Sequence, residues 1–158
     1  EIRDQEYDNK WISKASNMHR GEGIEILSNS NYSKLLGSFN DGQSCSRGYS
    51  KLIMQEYIRN VSVIQGRKYD IRAYLFVASV NPMLAYYPPM FYVRRAYEQY
   101  DPTSSSLGVA LTNRSYAEKM GVLDDALMTR FELQNYFFKN GIKDDPRWME
   151  NEFQTAIK

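Results

Sequence analysis

The spacing of apolar positions divides this chain in two. Up to about Asn113 they fall in short runs rich in β-branched and aromatic side chains, bounded by Gly, Pro, Asn and Ser, as in strands. Strands are expected over about 10–15, at Ile24–Leu27 and over 51–58. Others are expected from 66 to about 79, over 83–87 and, after the interruption of Pro88-Pro89, over 92–96. Residues 37–50 are rich in Gly, Ser and Asn and read as a loop. So do the connection 60–66 and the stretch 100–106, which runs on to Leu111-Thr112-Asn113. From Leu123 the spacing turns helical. Amphipathic helices are expected over 123–140, with Gly141 as C-cap, and over 146–158, where Trp148, Met149, Phe153, Ala156 and Ile157 share a face.

One segment stands apart, Gly66-Arg67-Lys68-Tyr69-Asp70-Ile71-Arg72-Ala73-Tyr74-Leu75-Phe76-Val77. It reads as a buried strand, yet Lys68, Asp70 and Arg72 are two apart and must share one face. Tyr69, Ile71, Ala73, Leu75 and Val77 take the other. A row of charges on a core strand needs partners, because an unpaired buried charge costs several kcal/mol. A polyanionic ligand with hydroxyls, such as a nucleotide, satisfies the row; so does a self-contained salt-bridge ladder.

Composition narrows the class. The chain has 158 residues, enough for one domain with a core, and is 25% charged and 42% hydrophobic. A net charge of +1 gives no case for nucleic-acid binding, and 13 tyrosines argue for packing rather than disorder. The single cysteine, Cys45, cannot form an internal disulfide, which favours a reducing compartment. No apolar run is long enough to suggest a membrane span. Both ends read as cut, so the chain is taken as part of a longer protein.

Several motifs carry chemistry. Trp11-Ile12-Ser13-Lys14 and Arg20-Gly21-Glu22-Gly23-Ile24 form a strand–glycine loop–strand unit. Such a loop can turn backbone N–H groups toward phosphate oxygens, with Lys14 adding a point charge, or it can be a plain hairpin. It lacks the Gly-Lys-Ser/Thr of a Walker loop. Met54-Gln55-Glu56-Tyr57-Ile58 ends a strand, where backbone groups can meet an adenine edge or simply belong to the core. His19 reads as a solvated loop residue and Cys45 as a bystander. Asp124-Asp125 and Asp144-Asp145 read as helix N-terminal charges, and no Cys/His cluster suggests zinc.

The order of motifs is more specific than any one of them. Trp-Ile-x-Lys, Arg-Gly-x-Gly-Ile, Gln-x-Tyr-Ile, Gly-Arg-Lys-Tyr-Asp-Ile-Arg, Tyr92-Val93-Arg94 and Leu111-Thr112-Asn113 follow one another. Over most of residues 10–120 this resembles the tubulin tyrosine ligase-like family. Tyr100-Asp101-Pro102-x-Ser104-Ser105-x-Leu107 looks most like its polyglycylation branch. The resemblance implies an α+β fold, an ATP-grasp-like mixed or antiparallel sheet with C-terminal helices. The chain would hold the central part and some of the C-terminal region of that domain.

The resemblance also implies roles. Lys14 would neutralise ATP phosphates, and the loop of Arg20, Gly21 and Gly23 would fold over them. Gln55, Glu56, Tyr57 and Ile58 would form the adenine hinge, largely through backbone. Lys68 and Asp70 would engage the nucleotide, Asp70 accepting from ribose hydroxyls. Arg72 and Arg94 would hold the transferred phosphoryl group, and Thr112 and Asn113 would add polar contacts. The implied reaction phosphorylates an acceptor glutamate, and the amine of a free amino acid displaces phosphate. The implied partner is tubulin or the microtubule through acidic tails, in the cytoplasm, cytoskeleton or cilium.

Three departures stand out. Ala110 replaces the family's usual His before Leu-Thr-Asn. Phe91 replaces a glycine and is expected to reshape the acceptor groove, with Arg95 structural or at the surface. The family's magnesium ligands, an Asp and a later Glu-x-Asn, have no counterpart, so Mg²⁺ would be held outside this segment. A rival reading is a ligase-like domain that has lost activity and binds microtubules or an axonemal assembly. Another is a ligase acting on a non-tubulin partner.

Overall fold

A computed structural model of the chain describes residues 10–27, 33, 52–58 and 60–153. The strands among them are β1 (Trp11–Ala15), β2 (Ile24–Leu27), β3 (Leu52–Glu56), β4 (Val63–Ile64), β5 (Arg67–Ala73), β6 (Phe76–Val80), β7 (Met83–Tyr86), β8 (Phe91–Arg95) and β9 (Leu127–Thr129). The helices are α1 (Leu107–Ala110), α2 (Arg114–Lys119), α3 (Leu123–Ala126) and α4 (Arg130–Lys139), with a π-helical turn at Met149–Phe153. Every described pairing is antiparallel, in three sheets: β2-β1-β3, β4-β5-β8-β9 and the hairpin β6-β7. The fold is α+β. The loop 37–50 and Cys45 lie outside the described residues.

The main core lies on one face of the four-stranded sheet. Tyr69 and Ile71 of β5, Phe91 and Val93 of β8 and Met128 of β9 point to it. Ile64, Leu133 of α4, Trp148 and Met149 cover it, and Phe137 stacks on Trp148 at 5.2 Å and 14°. Trp148 and Met149 thus meet the expectation for the last segment. Its described part, however, forms a π-helical turn entered through Asp145, whose carboxylate accepts from the Arg147 N–H at 2.8 Å.

The strand expected from 66 to about 79 is two strands. β5 pairs with β8 as far as Ala73↔Phe91, and β6 pairs with β7 from Phe76↔Tyr86. Between these pairs stand Tyr74-Leu75 on one side and Tyr87-Pro88-Pro89-Met90 on the other. Prolines cannot donate to a ladder, so the long hairpin divides there. The expectation of burial fails beyond this break: Leu75 is 65% exposed and Phe76 62%.

The helix expected over 123–140 is also divided. α3 ends at Ala126, Leu127–Thr129 add to the edge of β8, and Thr129 then caps α4 in a capping box with Glu132. Gly141, at φ +64, follows the last helical turn as expected. α1 falls within the stretch expected to run as a loop to Leu111-Thr112-Asn113, and α2 follows it, where no element was expected; at four and six residues they show no clear period. The connection 60–66 contains the short strand β4.

Candidate functional site

The face of β5–β8 opposite the core carries Lys68, Asp70, Arg72 and Arg94. Antiparallel register sets Asp70 across from Arg94 and Arg72 across from Tyr92. Arg94 holds Asp70 with both arms of its fork, Nε to Oδ1 at 2.7 Å and Nη2 to Oδ2 at 2.6 Å. Thr112 Oγ1 donates to Asp70 Oδ2 at 2.7 Å. The hydrogen bond to Asp70 holds the Arg94 guanidinium above its ordinary pKa. Asp70 and Arg94 therefore form the rung that a self-contained ladder required, whereas Lys68 and Arg72 take other partners.

Lys68 links the sheets. Its Nζ donates to the Tyr57 hydroxyl at 3.2 Å and lies 4.7 Å from that ring's centroid. Burial lowers the Lys68 pKa, opposed by Tyr100 and Asp70, and burial raises that of Tyr57. Tyr57 packs with Ile26 and Ala110, flanked by Ile12 and Leu107. Strand alternation puts Ile12, Lys14, Ile53 and Gln55 on this same face of the first sheet. Lys14 Nζ donates there to Gln55 Oε1 at 3.0 Å.

The glycine loop meets the Leu111-Thr112-Asn113 element. Arg20, Gly21 and Gly23 all have positive φ. At Gly21 a Cβ would lie 3.2 Å from Leu111 Cδ1 and 3.4 Å from Asn113 Cγ, so a side chain would press on both. Ser115 Oγ donates to the Arg20 carbonyl at 3.0 Å, and Lys119 reaches Glu22 at 3.6 Å. Contacts thus run from the loop through Asn113 and Thr112 to Asp70 and Arg94.

The hinge segment is narrower than expected. The Tyr57 N–H donates to the Lys10 carbonyl at 2.9 Å, so Tyr57 faces β1. Alternation turns the backbone of Glu56 away from β1, and Ile58 is exposed. The Glu56 side chain lies on the opposite face from Gln55 and Tyr57, and the Arg20 side chain is exposed; neither joins the cluster.

Phe91 does not reshape a groove. It is buried in the core, on the face away from Asp70, because β8 alternates Phe91, Val93 and Arg95 against Tyr92 and Arg94. Arg95 is structural: it is buried and bonded to Gln65 and to the Asp125 carbonyl. Ala110 sits in the apolar cluster beside Tyr57. Sequence reasoning missed Ser115, Tyr74 and Tyr92 as parts of this region; the i, i+2 spacing of Tyr74 to Arg72 and of Tyr92 to Arg94 was the available signal. Among the described residues no three His, Cys, Asp or Glu side chains could hold a metal ion, and no helix is long and apolar enough to cross a membrane.

Residues 1–135 match the profile of the Tubulin-tyrosine ligase family, and the chain belongs to that family. It is 33% identical over 117 residues to "Inactive polyglycylase TTLL10" of Homo sapiens, covering 69% of this chain and 17% of the relative. "Protein polyglycylase TTLL10" of Macaca fascicularis is 32% identical, covering 69% of the chain and 19% of the relative. "Tubulin glycylase 3D" of Tetrahymena thermophila is 29% identical over 140 residues, covering 84% and 13%. These relatives bear out the resemblance, including its polyglycylation branch. The chain spans less than a fifth of each.

Proposed function

We propose that this chain is the nucleotide-binding part of an ATP-dependent ligase that joins amino acids to tubulin. The observation that carries the reading is the convergence of Lys68, Asp70, Arg94 and Thr112 on the face opposite the core. The glycine loop is packed against Asn113 beside them. Cations with one carboxylate and neutral hydroxyls match a ligand bearing phosphates and sugar hydroxyls. The crowding at Gly21 seats the loop against Leu111 and Asn113, and its positive-φ residues give the backbone the freedom to turn N–H groups toward phosphate.

In this reading Lys14 and Lys68 neutralise phosphates while Gln55 orients Lys14. Glu56 and Ile58 present backbone to the base, and Asp70 exchanges part of its present bonding for ribose hydroxyls. That exchange loosens Arg94, which with Arg72 can then face the transferred phosphoryl group. ATP supplies the phosphoryl group that makes the acceptor carboxylate an acyl phosphate, from which an amine displaces phosphate to leave an amide, ADP and phosphate. The described residues do not fit a magnesium site, and no step is assigned to one. Relatives named for glycylation of tubulin support tubulin as acceptor; acidic tails, which arginines would attract, and a cytoskeletal or ciliary setting are part of the same proposal.

Calorimetric titration of ATP into the full chain tests this. Lys14→Ala and Asp70→Ala should each abolish measurable binding; unchanged affinity in both variants refutes the nucleotide site.

A further inference from the structure

The tip of the glycine loop is held by a side chain that belongs to none of the motifs. His19 to Glu22 form a tight turn, closed by the Glu22 N–H, which donates to the His19 carbonyl at 3.0 Å. Its central residues, Arg20 at φ +58 and Gly21 at φ +85, are both left-handed, as a type I′ turn between paired strands requires. Glycine takes that conformation freely; for Arg20 it is strained.

Support for the strained turn comes from α2, 95 positions further along, where Ser115 Oγ donates to the Arg20 carbonyl at 3.0 Å. Asn113 is the N-cap of α2, yet its side chain caps nothing and lies against Gly21 instead. The Lys119–Glu22 pair is exposed on both sides and adds little by itself. The Ser115 bond sets a direction. A trans peptide is planar, with its C=O and N–H pointing opposite ways. The Arg20 carbonyl and the Gly21 N–H share one such plane. Ser115 draws the carbonyl toward α2, and the Gly21 N–H is thereby turned away from it. Among the described residues that N–H has no hydrogen-bond acceptor. A free backbone donor in a left-handed turn suits an anionic oxygen.

We infer that Ser115 is a positioning residue: it fixes the Arg20–Gly21 peptide so that the Gly21 N–H is set to donate to a nucleotide phosphate. The inference rests on the nucleotide reading and adds to it a residue outside both the loop and the β5–β8 face. Ser115 itself touches no ligand and acts through the loop backbone. The same short stretch carries Thr112, which donates to Asp70 at 2.7 Å. Residues 111–115 therefore tie the phosphate loop to the proposed ribose contact.

The test titrates the full chain with ATP and, separately, with adenosine, which has the base and ribose but no phosphate. Ser115→Ala should weaken ATP about three- to tenfold and leave adenosine binding as in the parent. Ser115→Thr, which keeps the hydroxyl, should restore ATP affinity to within about twofold of the parent. Equal losses for ATP and adenosine would make Ser115 a general support of the fold and overturn the positioning role. So would a Ser115→Thr variant as weak toward ATP as Ser115→Ala. ATP bound by the parent and by Ser115→Ala alike sinks the positioning role alone. Absence of ATP binding by the parent sinks the nucleotide reading, and the positioning role with it.

Discussion

β5 and β6 are separated by two residues, yet the charged strand, Arg-Lys-Tyr-Asp-Ile-Arg-Ala, borders the core while the uncharged one, Phe-Val-Ala-Ser-Val, lies on the surface. β5 has β4 and β8 as neighbours, and one of its faces meets the cluster closed by Leu133, Trp148 and Met149. β6 has only β7, and Phe76, Val77, Val80, Met83, Leu84 and Tyr86 of that hairpin are exposed. The difference lies in cover and pairing, not in intrinsic strand character. A strand's own sequence therefore specifies which residues share a face, and the rest of the molecule decides whether that face is dry.

Leu133→Ala should break the covered side most severely. It removes a fully buried side chain above Val93 and Met128 and should cost about 2–5 kcal/mol in a urea titration. Thr129→Ala removes the cap on which α4 starts and should cost about 1 kcal/mol. Asp125→Asn should cost less at neutral pH, about 1 kcal/mol or under, since its carboxylate is largely exposed. The hydrogen bond from Arg67 lowers the Asp125 pKa below the ordinary carboxylate value. Its stabilisation is therefore present above about pH 3.9 and lost as pH falls below that. The gap in melting temperature between Asp125→Asn and the parent should close on acidification over that range. Val80→Ala in the hairpin should change stability by less than about 0.5 kcal/mol. A cost for Val80→Ala equal to that of Leu133→Ala would erase the distinction between the two strands.

Much of this was legible beforehand. The alternation of Lys68, Asp70 and Arg72 gave the polar face, and Ile24–Leu27 was located to the residue. The division at Tyr74-Leu75 was not read, although Pro88-Pro89 was noted, because proline's effect falls on the partner strand and the register was unknown. β9 was hidden because Leu127-Met128-Thr129 keep helical spacing with their neighbours while their partner, β8, is distant in sequence. The Thr129-x-x-Glu132 capping box was a readable signal passed over. At the site, Arg94 as the partner of Asp70 and the occupied N–H of Tyr57 depend on strand pairing, which sequence period does not reveal.

The ties between the first sheet and the remainder also bear on the order of folding. Lys10 reaches the Ser104 carbonyl across 94 positions and Ser115 reaches Arg20 across 95, whereas Asp70 and Arg94 are 24 apart. Closing the longer loops costs more chain entropy before any contact rewards it. During refolding, pulsed hydrogen exchange should find the β5–β8 amides protected first and those of β1 and β2 later. The glycine loop would then come to rest against Asn113 only after the Asp70 rung is already in place.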